Sequence, residues 1–409
     1  MPHSPANGEA SRAAGVTIGF CFLAALCEGF DVQAAGVAAG GISAELRPLP
    51  TQLGLFFSAS NFGLFLGAFV GGRLADRIGR RSVLIASIGT FGAFSLLTSF
   101  AWSMESLTWM RLLTGFGLGG AMPNLIAITA DVSRASSRNA SIAATYIGMP
   151  LGGAIASLLV ALAAVEHWRW VVLFGGIAPL IIAATMAAFM PRPATHAAPQ
   201  AAVPEQRSSF ITDLFRRDRL RGTLLLWVGF FLIVLTLHLM LNWLPLLLQG
   251  RGLSKTSAAV AQIGFNVGGA AAALLAGVAL DSQWRRVGIV VSAVAMPAVL
   301  LLLAVTVAQT GSMIGLALLL GGAILALQVI LYSVAGELYP SAARGTGIGA
   351  AVGVGRIGSI FGPALAALMI GAGRTPVQVL EGLLPIAVLC AVCIAVLALP
   401  IKKEGTASG

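Results

Sequence analysis

The sequence predicts an all-α membrane protein of twelve spanning helices arranged as two six-helix repeats, and three observations carry that prediction. The first is composition: of 409 residues, 57% are hydrophobic and only 10% are charged, with a mean hydropathy of +0.92. A soluble domain carries roughly 25% charged residues. The second is that the apolar residues fall into twelve runs, each near the ~20 residues that cross a hydrocarbon core. The third is that landmarks of the first six runs recur about 205 residues later. The net charge of +10 does not point to nucleic acid, because the basic residues sit in short loops between apolar runs.

The runs lie at 13–36, 52–74, 83–101, 106–129, 138–162 and 168–190, then at 221–248, 256–279, 286–307, 312–337, 344–371 and 378–400. The first follows a polar, nearly uncharged dozen residues with no basic lead, so it reads as a retained helix rather than a signal peptide. It carries two acids, Glu28 and Asp31. Such residues at bilayer depth cost at least about 2.5–3.5 kcal/mol on insertion scales and mark ion or proton paths. Spaced three apart, they share a helix face. The second run has the glycines Gly63, Gly67 and Gly71, and the fourth has Arg111 followed by Gly115 and Gly119, spacings that suit close helix packing. The fifth holds Tyr146 and Gly148-Met-Pro150-Leu-Gly-Gly153, and the sixth opens on Trp168-Arg169-Trp170, an aromatic anchor at one membrane face. The seventh carries His238, Asn242, Trp243 and Pro245; the tenth, Gln328 and Tyr332; the eleventh, Arg356. The twelfth holds Cys390 and Cys393, whose CxxC spacing lacks the strand-and-helix context of redox chemistry. A Pro-, Ala-, Arg- and Gln-rich interval, 191–220, divides the chain into a 1–190 bundle, a linker and a 221–409 bundle.

Loop charge orients the chain. With the N-terminus inside, eighteen of the 25 Lys and Arg residues fall in inner segments and five in outer loops, which places both termini in the cytoplasm. Gly72-x3-Asp76 recurs as Gly277-x3-Asp281, and Asp131-x6-Arg138 recurs as Glu337-x6-Arg344. Parallel six-helix repeats that hold a substrate at their interface near the midplane describe a large class of secondary transporters.

The most specific motif is Gly72-Arg-Leu-Ala-Asp76-Arg77-Ile-Gly79-Arg80-Arg81. An acid, a tight glycine turn and paired arginines at helix ends can build an ion-pair network that holds helices in one conformation and releases them in another. This loop resembles, position by position, the signature of the major facilitator superfamily. Arg111 with its glycines resembles the superfamily's intramembrane arginine motif. The resemblance implies the major facilitator fold, with Asp131, Arg138, Glu337 and Arg344 as companion charges of the gate. Gly345-Thr-Gly347-Ile-Gly349 does not read as a nucleotide loop, since no strand adjoins it.

Glu28-Gly-Phe-Asp31 resembles the acid-Gly-aromatic-Asp motif of the aromatic acid:proton symporter family, with Glu in place of the usual first Asp. Together with Met122-Pro-Asn-Leu-Ile-Ala127, Asn242-Trp243-Leu-Pro245 and Gly353-Val-Gly-Arg356, it resembles the hydroxyphenylpropionate-transporting branch of that family. Such a substrate needs a cation, an apolar or aromatic wall and hydrogen-bond partners. Arg356 is the cation candidate, because guanidinium pairs bidentately with carboxylate; the alternative is a structural arginine neutralising an acid of the other half, such as Asp31. Asn242 and Trp243 offer an amide and a stacking face, unless Trp243 is an interfacial belt residue. Tyr146, Gln33, Gln328 and Tyr332 are pocket candidates. His238 could titrate near neutral pH, although a lone histidine in an apolar helix is more often a packing residue.

The expectation is a proton-coupled importer of an aromatic carboxylate. Asp31 would take the proton and Glu28 would tune or share it. No metal and no cofactor other than the proton gradient is expected, nor a nucleic-acid partner, and the unit is a monomer in a bacterial-type inner membrane. The competing readings are a drug or organic-anion:proton antiporter, which the 148–153 segment partly resembles, a membrane-embedded enzyme and a passive channel. No HExxH or Ser/His/acid set supports the enzyme.

Overall fold

The computed structural model describes residues 5–134, 137–162, 167–191, 219–280, 282–339 and 341–398. Helices account for nearly all of them, since backbone groups in hydrocarbon must bond within their own segment. The order is α1 (Pro5–Leu46), α2 (Pro50–Ile78), α3 (Arg80–Thr98), α4 (Met104–Val132), α5 (Arg138–Ala161) and α6 (Trp168–Phe189). There follow α7 (Leu220–Gly250), α8 (Lys255–Leu280), α9 (Arg285–Val305), α10 (Thr310–Leu338) and α11 (Ser341–Gly371), then the pair α12 (Pro376–Gly382) and α13 (Leu384–Ala398). Twelve segments are long and apolar enough to cross a membrane, α12 and α13 together forming the last. The linker predicted at 191–220 lies mostly outside the described residues.

Two elements differ from the sequence expectation. The first helix runs ten residues past position 36 to Leu46, because Ile42 is buried and Glu45 is held by Trp168 and Arg169 of α6 at 2.7 and 2.6 Å. The twelfth run breaks at Leu383, where Pro385 has no N–H to continue the ladder.

Packing repeats with an offset of six helices. Within the first half, α1 packs on α5 and α2 on α4; in the second, α7 packs on α11 and α8 on α10. Small residues make these crossings possible. A Cβ on Gly63, Gly67, Gly115 or Gly119 would strike backbone atoms across the α2/α4 crossing, and Gly268 and Gly321 stand equally close across α8/α10. Gly79, between α2 and α3, adopts φ +87°, a left-handed conformation that lets the signature loop reverse in one residue.

The halves meet through α1/α7, α2/α11 and α5/α8. Their close approaches gather toward the end of the bundle where α1 passes into α2. There Trp243 packs edge-on to Phe57 with ring centroids 5.4 Å apart and donates Nε1–H to the Pro363 carbonyl at 3.1 Å. The Ser58 hydroxyl donates to the Ile360 carbonyl at 2.8 Å. At the opposite end, bearing Arg80, the described ion pairs stay within each half: Arg80 with Asp131 at 2.6 Å, and Arg285 in a two-pronged pair with Glu337 at 2.7 Å.

Gly119→Leu should therefore eliminate the monodisperse peak on size-exclusion chromatography in detergent. Gly89→Leu, where a Cβ meets nothing within 4 Å, should leave that peak unchanged.

Candidate functional site

Asp31 is fully buried and receives two side chains. Arg111 of α4 donates Nη1–H to Oδ2 at 2.8 Å, and Ser95 of α3 donates its hydroxyl to Oδ1 at 2.7 Å. Arg111 is 2% exposed, and its Nη2 also reaches the Asp31 carbonyl and the Ser60 hydroxyl of α2, each at 3.3 Å. One ion pair thus joins four helices of the first half. Arg111, the intramembrane arginine of the sequence reading, lies at this buried pair and away from the Arg80 end.

Glu28, one turn earlier on α1, has a different environment. It is 1% exposed, and its Oε2 has no hydrogen-bond partner among the described residues. The charges that act on it are Arg356 and Asp31. Arg356, half-buried on α11, makes no hydrogen bond or ion pair through its guanidinium among the described residues. Its charge reaches Tyr146 on α5, His238 on α7 and Tyr332 on α10 as well as Glu28. Tyr332 is braced edge-on by Phe230 at 5.1 Å, and Tyr146 is 43% exposed. Five helices from both halves therefore bring an acid, two phenols and an imidazole within electrostatic reach of one arginine. Gln328 lies one turn from Tyr332 on the same helix and is half-buried.

Three predicted pocket residues are placed at the seam between the halves. Gln33 forms a reciprocal amide pair with Asn266 of α8, 2.7 Å in both directions, and accepts from Gln262 Nε2 at 3.2 Å. Gly153 is what admits the Gln33 side chain, since a Cβ there would collide with it, while Gly148 and Gly152 seat α5 against the α1 backbone. The 148–153 segment thus has a packing role in this chain. Asn242 is buried and donates to the His238 carbonyl at 2.7 Å. Trp243 seals against Phe57 and Pro363, the latter seven residues or about 10 Å of helix rise beyond Arg356.

The residues predicted to form a gate are distributed at the Arg80 end. Arg81 donates to the carbonyls of Met186, Ala187 and Met190 at 2.9–3.2 Å and so caps α6. Asp76, Arg77 and Arg138 are exposed and have no ion pair among the described residues, and Gly72 faces open space. The side chain of Arg344, like Asp281, lies outside the described residues. Asn266, Gln262, Ser95 and Ser60 were not singled out from sequence. Gln262 and Asn266, polar at i and i+4 in an apolar helix, gave a readable signal, whereas serines are too common in such helices to give one.

Removing one partner of a buried ion pair strands the other charge at a cost of about 3–5 kcal/mol. Arg111→Met should accordingly lower the thermal unfolding midpoint in detergent more than the Asp31→Leu/Arg111→Met double variant does.

Comparison with known proteins agrees with this architecture. The chain is 39% identical over 375 residues to the 3-(3-hydroxy-phenyl)propionate transporter of Escherichia coli (strain K12), covering 90% of each chain. It is 30% identical to a 4-hydroxybenzoate transporter of Pseudomonas putida (94% of this chain, 93% of the relative) and 31% identical to a gallate transporter of the same species (89% and 87%). Among solved structures, a nucleoside transporter superposes with a TM-score of 0.78 at 13% identity, covering 93% of this chain and 99% of that one. A D-xylose-proton symporter gives 0.74 at 16% identity, covering 93% and 97%. Residues 21–363 match the family model described as Major Facilitator Superfamily, and the chain belongs to that superfamily of transporters.

Proposed function

We propose that this protein imports a hydroxylated aromatic carboxylate together with a proton, acting as a monomer by alternating access in a bacterial inner membrane. The observation that carries the reading is that Arg356, whose guanidinium has no hydrogen bond or ion pair among the described residues, acts electrostatically on buried Glu28, whose Oε2 has no hydrogen-bond partner there. Relatives that carry hydroxyphenylpropionate, hydroxybenzoate and gallate support the substrate class.

Charge balance supplies the coupling. With Glu28 ionised, it compensates Arg356, and the empty site is neutral. Once Glu28 is protonated, Arg356 is uncompensated until a carboxylate arrives, and a lone buried charge is costly to enclose. The site can close either empty and unprotonated or loaded with both proton and anion. Those are the two states a symporter must move. Tyr146 and Tyr332 would flank the ring, and Gln328 lies within the same wall. On this reading the proton is carried by Glu28, while Asp31 is held by Arg111 and Ser95 and fixes the position of α1. This exchanges the two roles expected from sequence.

With the basic loops inside and both termini cytoplasmic, the sealed end is the outer one, so this conformation is closed to the exterior. The bundles 1–190 and 221–409, joined by the 191–220 linker, would rock about the α1/α7, α2/α11 and α5/α8 seams. Asp76, Arg77, Arg80 and Arg81 with Asp131 and Arg138, and Glu337 with Arg344, would re-engage across the inner end when the outer end opens.

Proteoliposome uptake driven by an imposed inward proton gradient tests this. Glu28→Gln should abolish gradient-driven accumulation while keeping substrate counterflow. Arg356→Ala should weaken substrate binding roughly ten- to a hundredfold, the range of a lost charge-assisted contact. Accumulation at the wild-type level by Glu28→Gln would refute the proton assignment.

A further inference from the structure

We infer that His238 is a specificity residue that reads a hydroxyl on the substrate's ring by accepting its hydrogen. This rests on the reading of Arg356 as the carboxylate site. His238 sits on α7, half-buried and within electrostatic reach of Arg356, one turn from Val234, against which Gly355 of α11 packs. Its Nδ1 lies 3.1 Å from the Val234 carbonyl oxygen one turn earlier. A carbonyl oxygen only accepts, so Nδ1 carries the hydrogen. In the neutral ring Nε2 is then an acceptor by necessity. It has no hydrogen-bond partner among the described residues.

The other groups around the space do not duplicate this function. Arg356 only donates, and its charge suits the carboxylate. The tyrosines can donate or accept, and Glu28 becomes a donor when protonated. A fixed acceptor is the complement of a phenol O–H. The backbone holds it there: Asn242 donates to the His238 carbonyl at 2.7 Å, and Gly355 lets α11 close on Val234. An acid lacking the ring hydroxyl leaves Nε2 unsatisfied, and sites built on such a bond reject the shorter analogue by about tenfold or more.

The test is equilibrium binding to the purified full-length protein in detergent. The ligands are 3-(3-hydroxyphenyl)propionate, 3-phenylpropionate and 3-(3-methoxyphenyl)propionate, whose ether oxygen cannot donate. Wild type should prefer the hydroxy acid about tenfold over both others. His238→Leu should lose that preference while binding 3-phenylpropionate within about twofold of wild type, and His238→Gln, whose amide oxygen accepts, should regain part of it. If the methoxy acid binds wild type as tightly as the hydroxy acid, or wild type shows no preference, the inference falls without any variant. It also falls if His238→Leu keeps the preference or weakens all three acids equally. If wild type binds none of the acids, or Arg356→Ala binds them unchanged, the underlying reading of the site fails instead.

Discussion

Within the bilayer no water is present to stabilise a lone charge, so each ionised group in a spanning helix needs a partner. The Asp31–Arg111 pair is the clearest expression of that constraint in this chain. Through it α1, α2, α3 and α4 converge on one buried point, where both terminal nitrogens of Arg111 are engaged. The pair therefore determines what the rest of the centre can do. With Arg111 occupied by Asp31, the proposed reading leaves Glu28 and Arg356 to compensate one another across the halves, a compensation that a proton and an anion would jointly replace.

The second constraint is close packing. Where helices cross, glycines let backbones touch, and the same crossings occur in both halves: α2/α4 with α8/α10, and α1/α5 with α7/α11. The ion pairs repeat likewise, Arg80–Asp131 in one half and Arg285–Glu337 in the other. The described pairs at that end are internal to each half, whereas the seam toward the α1/α2 end is built from contacts between halves: the Trp243–Phe57 edge, the Gln33–Asn266 amides and the Ser58–Ile360 bond. One end is thus held by contacts between the halves, while the described ion pairs at the other end stay within each half.

Much of this was legible in the sequence because membrane helices must be long, apolar and contiguous. The twelve runs, the repeat and the loop bias follow from that requirement. Arg356, Tyr146 and Tyr332 were readable as candidates, since polar groups in such runs need polar surroundings. What sequence could not supply was pairing across helices. Asp31 and Glu28 share a face by spacing, yet Asp31 meets Ser95 and Arg111 while Glu28 meets neither, a difference set by neighbours 64 and 80 residues distant. Trp243 read as a pocket or belt residue and Gln33 as a pocket candidate, and only Phe57 and Asn266 opposite them place both at the seam between the halves.

The division of labour between the two acids is the central claim, and infrared difference spectroscopy addresses it directly. Spectra would be recorded between acid and alkaline pH for reconstituted wild type, Glu28→Gln and Asp31→Asn. The account predicts that the carbonyl band of a protonated carboxylic acid disappears in Glu28→Gln and persists in Asp31→Asn. A band that survives Glu28→Gln and vanishes in Asp31→Asn would contradict it.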